Sequence, residues 1–249
     1  MNRFSEDIDL TVKVVAEQSN TQNRKRLKLS ALGYNIDGLE LLKDECINHK
    51  GSITSVFRYN SVFAIEEFPL QRAGKIQVEA TSFTVSEPTE KYTIEPLIYK
   101  FATDNEKKIL EEQFDISKIE LEIVKLERIF IDKLFAAEFY YIRNMYMDTS
   151  KHLYDISILY SNDKIRKLIN NKDELNKLIE YKRQEEKIRI GGINEKTEIK
   201  DFTYFKLNFN NELLKSFENM QNKYVLNSKY KVSLKEAKNI LKEIHNKMI

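Results

Sequence analysis

With 249 residues, 41 of them Lys or Arg and 39 Asp or Glu, the chain has a net charge of +2, which excludes a chain-wide basic field for nucleic acid and leaves only local patches. Its 41% hydrophobic residues, with 13 Tyr and 14 Phe, argue for one large or two small packed domains despite a charged fraction of 32%. The lone Cys46 excludes an intrachain disulfide framework or a cysteine zinc site, and no apolar run approaches the roughly 18–20 residues of a membrane span.

From the N-terminus, the alternation over Ser5–Val15 predicts a strand with Ile8, Leu10, Val12 and Val14 on one face and Asp7, Asp9, Thr11 and Lys13 on the other. The opening Met-Asn-Arg-Phe-Ser-Glu-Asp is no signal peptide, so a reducing cytoplasm is the expected location. Composition over Gln22–Asn48 predicts helix, broken near Gly33 and Gly38. Two β-rich runs follow, Ser52–Tyr59 and Ser61–Phe68, with Tyr59-Asn60-Ser61 suited to a hairpin turn and Pro69 closing the second. Lys75–Phe83 reads as a further strand, Ile76, Val78 and Ala80 lying opposite Lys75, Gln77 and Glu79. After about Phe101 the pattern turns mostly helical, with no further Pro. Leu126–Ile142 carries an apolar stripe, Leu126, Ile129, Phe130, Leu134 and Ala137. Ser150–Leu159, Asp173–Ile188, Asn210–Met220 and a last helix from Ser233 complete the series, Ser233 and Glu236 forming a capping box. The Lys/Asn/Glu-rich stretch Asn170–Lys187 reads as solvated helix face, and Gly191-Gly192 as a linker. The expected class is α+β, with a sheet-containing part over residues 1–105 and a helical part over 106–249.

The sharpest chemical feature is Asp7 and Asp9. Two residues apart on a strand, they share a face, with Cα atoms about 6.5–7 Å apart. That spacing suits a pair of divalent ions about 3.5–4 Å apart, although any half-exposed strand also places charges on alternate positions. Glu79 would join them if its strand lay alongside, since a metal would relieve the repulsion of three acids on one face. Its bland alternative is an ion pair with Lys75 or another base. Lys133, set among apolar residues, either snorkels outward or is held inward by an anion. His152 and Asp155 share one helical face, so Asp155 could orient the imidazole or a nearby cation. The three histidines, His49, His152 and His245, show no ligand-type spacing.

In order along the chain, Arg3-Phe4-Ser5-Glu6-Asp7-Ile8-Asp9-Leu10, Lys75-Ile76-Gln77-Val78-Glu79, Glu127-Arg128-Ile129-Phe130-Ile131-Asp132-Lys133 and Ser150-Lys151-His152-Leu153-Tyr154-Asp155 resemble the blocks of the AbiEii/AbiGii nucleotidyltransferase toxin family, toxins of bacterial type IV toxin–antitoxin and abortive-infection systems. The first and fourth blocks are the specific ones. The resemblance implies a polymerase-β-like nucleotidyltransferase mixed sheet with a helical C-terminal domain. It further implies magnesium, as two ions, on Asp7, Asp9 and Glu79, with Lys133 on the triphosphate and Asp155 completing the catalytic set. Ser5, Lys133, Lys151 and His152 would line the nucleotide. The implied reaction transfers NMP from an NTP to an acceptor hydroxyl on a tRNA end or a protein and releases pyrophosphate. A cognate antitoxin is the implied partner; a membrane is not.

Family members carry a Gly-Gly or Gly-Ser turn ahead of the D-x-D pair, whose amides help cradle phosphates. Only six residues precede Asp7, so the expectation is a chain shortened at its N-terminus. That shortening motivates a second reading, an inactive remnant that acts by binding antitoxin. A third reading uses Arg24-Lys25-Arg26-Leu27-Lys28 and the Lys-rich C-terminal helices to bind RNA; its bland counterpart is a solvated helix face.

Overall fold

The computed structural model describes residues 3, 5, 7–33, 35–49, 51–61, 74–82, 87–188 and 191–248, and the fold below is that of these residues. Strand β1, Asp7–Thr11, is followed by helix α1, Asn20–Leu32, and then by β2, Leu39–Leu41, β3, Ile47–His49, β4, Ser52–Tyr59, and β5, Lys75–Thr81. The sheet order is β1-β5-β4-β2, with β3 also paired to β4. Strand β1 runs parallel to β5 while β4 runs antiparallel to it, so the sheet is mixed. The strand expected over Ser5–Val15 narrows to Asp7–Thr11. The backbone N–H of Val12 still bonds the Thr81 carbonyl, but Ile8 and Val14 are exposed and only Leu10 and Val12 of the expected apolar face reach the core.

Helix α1 starts at a capping box in which Ser19 and Gln22 satisfy each other's backbone N–H, and it lays Leu27 and Ala31 over β4 and β5. Ser55, fully buried on β4, donates its hydroxyl to the Ala31 carbonyl at 2.6 Å and fastens helix to sheet. The expected helix over Gln22–Asn48 therefore ends at Leu32. Beyond it Gly38, at φ +82°, turns the chain into two short strands whose ladder bonds to β4 outweigh a helix-favouring composition. As a central strand, β4 is buried continuously from Ile53 to Phe57. The second β-rich run lies outside the described residues beyond Ser61, as does Phe83 at the end of the expected Lys75–Phe83 strand. The small core here comprises Leu27, Ala31, Ile53 and Ala80, with Leu10, Val12 and Leu32 packed against it.

A second sheet is a two-stranded ribbon of β6, Thr89–Ile94, and β7, Ile119–Val124, joined through α2, Leu97–Phe101, and α3, Asp104–Phe114. Strand β7 falls within the stretch expected to be helical, and the ribbon pairs residues on either side of position 105. Ile119-Glu120-Leu121-Glu122-Ile123 alternates with the period of a strand, and pairing with β6 satisfies its backbone.

The helical region packs α4, Leu126–Tyr141, against α5, Tyr146–Tyr160, and surrounds them with α6, Asp163–Asn170, α7, Lys172–Ile188, α8, Asn211–Tyr224, and α9, Leu234–Met248. Phe130, Leu134, Leu153, Ile156, Leu213 and Leu241 lie in one large core separate from the sheet's. The capping box opening α9 forms as expected: Ser233 N donates to Glu236 Oε2 at 2.7 Å, and Glu236 N to Ser233 Oγ at 3.2 Å. Asn170–Lys187 is not a uniformly solvated face. Lys182, Glu185 and Glu186 are buried against α4, where Arg128, 1% exposed, bonds Glu185. The Lys182 ammonium lies 3.0 Å from Glu185, 3.3 Å from Asp132 and 3.4 Å from Glu186. Charges at such positions leave water only when counter-charges from another element are waiting.

Candidate active site

Strand pairing brings the acids of the sheet together. Asp7 and Asp9 stand on one face of β1, and the parallel register sets Asp9 directly opposite Glu79 on β5. Lys75, one of the bases that could have paired with Glu79, reaches Glu45 at 2.6 Å. Glu79 Oε1 accepts a 3.5 Å hydrogen bond from Ser52 on β4, and Ser5 donates to Asp7 Oδ1 at 2.6 Å.

Crowding by the surrounding chain, and then the like charge of Asp7, raise the pKa of Asp9; Lys133 and Arg3 oppose them. The side chain of Asp9 stays open to solvent, which tempers both effects. Two neighbouring carboxylates whose mutual repulsion is only partly relieved are a natural seat for a cation.

The opposing wall comes from the helices. The α4 stripe of Phe130, Leu134 and Ala137 points into the large core and leaves Lys133 on its edge, its side chain 19% exposed. Its ammonium is held inward, 3.4 Å from Oδ2 of Asp155 on α5. Asp155 is fully buried and receives a two-pronged bond from Arg3, Nε to Oδ1 and Nη2 to Oδ2, both 2.8 Å. Burial works against the Arg3 charge, but the bonds to Asp155 outweigh it and keep the guanidinium firmly protonated. Charges of both signs thus meet where the sheet faces α4 and α5.

Two further residues expected at the nucleotide, Lys151 and His152, have partners of their own on the helices. Lys151 turns toward α8, its ammonium 5.0 Å from the centre of the Tyr224 ring and 3.6 Å from Asp148. His152 stacks on Tyr140, ring centres 5.3 Å apart, while the two oxygens of Asp155 take Arg3 and Lys133. Of the two roles open to Asp155, the structure shows the one that orients cations. In the sequence Arg3 stands out only by its place in the first block; a base four residues ahead of Asp7 is the signal available there.

Among the described residues no three His, Cys, Asp or Glu side chains close into a metal cage. Magnesium does not require one, since it commonly keeps its waters and takes one or two carboxylates together with substrate phosphates. The donor set of Asp7 and Asp9, with Glu79 in register, fits that mode. The basic run on α1 is split by its own helix: Leu27 packs inward, whereas Arg24, Lys25 and Lys28 are exposed. No helix of the described residues is long and apolar enough to cross a membrane.

Compared with known families, residues 1–237 match the model described as nucleotidyl transferase AbiEii toxin, type IV TA system. Neither a curated protein nor a solved structure matches the chain.

Proposed function

The chain belongs to the nucleotidyl transferase AbiEii toxin family of type IV toxin–antitoxin systems, and from that premise we propose that it is a magnesium-dependent enzyme transferring NMP from an NTP to an acceptor hydroxyl on a tRNA end or a protein. The observation that carries this reading is the register of Asp9 with Glu79 beside Asp7, facing Lys133 and Asp155 on the helices. Asp7 and Asp9 would hold magnesium with Glu79 as the third carboxylate, and the bound metal would neutralise phosphate charge and favour ionisation of the attacking hydroxyl.

In this reading the acceptor oxygen bonds to the α-phosphorus as the bond to the β-phosphate oxygen breaks. Pyrophosphate leaves, and the hydroxyl proton passes to a site carboxylate or to solvent. The Lys133 ammonium offers the triphosphate its positive charge. Such chemistry needs positioning and charge neutralisation rather than a protein nucleophile, which suits a site of acids and bases. The exposed bases of α1 offer a polyanionic acceptor a phosphate contact. A cognate antitoxin is the partner the family implies.

The test is incubation with α-labelled NTPs, Mg²⁺, total tRNA and candidate protein acceptors. Label transfer is expected, and its loss in Asp9→Ala by about 10²–10³-fold. Failure of every common NTP to label any acceptor sinks the assignment.

A further inference from the structure

We propose that Arg3 is a positioning residue that neutralises Asp155 in place of Lys133, leaving the Lys133 ammonium free to leave that carboxylate for an incoming phosphate; the phosphate part rests on the nucleotidyltransferase reading.

The argument starts from Asp155. Its side chain has no exposure, so its charge must be balanced by protein groups. Two cations reach it, and they do so unequally. Arg3 matches both oxygens with two nitrogens at 2.8 Å, the planar fork that a guanidinium forms best with a carboxylate. Lys133 makes one longer approach of 3.4 Å to Oδ2, and its side chain keeps a fifth of its surface in solvent. The ammonium also feels Asp9 across the cleft.

Were Lys133 the sole partner of Asp155, any movement toward a phosphate would strand a buried charge, and the lysine would be locked. With Arg3 in the fork, the lysine can move without that penalty. The same fork ties the approach to β1, and so Asp7 and Asp9, to α5 across a sequence separation of 152 residues. Arg3 therefore acts through Asp155 and Lys133, with no need to touch a nucleotide itself.

The test follows the reactivity of Lys133 toward a limiting acetylating reagent, read by mass spectrometry against the exposed Lys91 as internal standard. An ammonium held tightly against a buried carboxylate is less available to the reagent and reacts more slowly. Arg3→Gln is expected to slow labelling of Lys133 about tenfold. Arg3→Lys, which keeps the charge but loses the fork, should fall between Arg3→Gln and the parent protein. Adding Asp155→Asn to Arg3→Gln should return the rate to the parent value or above. A merely structural Arg3 predicts the opposite sign, since a loosened fold exposes the lysine and speeds its labelling. An unchanged or faster rate in Arg3→Gln overturns the proposal, and if that variant does not fold, a parent-like rate in Arg3→Lys does so. Separately, Mg²⁺ with a nonhydrolysable NTP should protect Lys133 in the parent protein. Lack of protection, with the Arg3 effects intact, counts against the nucleotide reading and leaves the Arg3–Asp155–Lys133 relation standing.

Discussion

Replacing Arg128 by Met tests whether the ionic cluster between α4 and α7 holds the helical region together. Arg128 is 1% exposed and Glu185 3%, so their pair is dry. Among the described residues around them two cations, Arg128 and Lys182, face three acids, Asp132, Glu185 and Glu186. Removing one member of a buried pair typically costs about 3–5 kcal/mol, because the other is left without its counter-charge. Lys182 stays 3.0 Å from the second oxygen of Glu185, which places the expected loss near the lower bound, about 3 kcal/mol. In a chain of this size each kcal/mol moves the melting temperature by about 2–4 °C, so Arg128→Met should melt roughly 6–12 °C lower. Thermal unfolding followed by circular dichroism at neutral pH measures this directly. The double variant Arg128→Met/Glu185→Met should recover more than half of the loss, since an apolar pair of similar volume carries no desolvation penalty. A drop below about 2 °C in the single variant, or a double variant worse than either single, refutes the reasoning.

Tyr204 is fully buried, its hydroxyl has no hydrogen-bond partner among the described residues, and burial followed by the charge of Glu138 lifts its pKa well above the ordinary value. Because the folded chain holds this proton longer than the unfolded one, the contribution to stability is complete below about pH 10 and is lost as pH climbs toward the raised folded-state value. Tyr204→Phe should be neutral to stabilising by up to about 1 kcal/mol at neutral pH, and it should shift alkaline unfolding upward, measured by phenolate absorbance and circular dichroism together. Ser233→Ala removes the acceptor that caps α9 and should lower the melting temperature by about 2–4 °C, with faster amide exchange in the first turn of that helix.

Local signals suffice where one element decides the outcome. Alternation over Lys75–Phe83 matches the burial of Val78 and Ala80, and Ser52–Tyr59 coincides with β4. The apolar stripe of α4 and the cap of α9 follow from spacing alone. They do not suffice where composition competes with partners elsewhere. Leu39–Leu41 and Ile47–His49 are strands because β4 offers them ladder bonds, and Ile119–Val124 is a strand because β6 does. The Lys- and Glu-rich face of α7 looked solvated because nothing within that helix announces Arg128 on another.

The division has one physical cause. Side-chain direction repeats every two residues in a strand and about every 3.6 in a helix, so the letters by themselves determined that Asp7 and Asp9 share a face and that Lys133 borders an apolar stripe. Nothing local sets the parallel register that puts Glu79 opposite Asp9, the closure of α5 onto α4 that buries Asp155 beside Lys133, or the reach of Arg3 into that pair. Those depend on which distant surfaces exclude water together, and only the folded chain decides that.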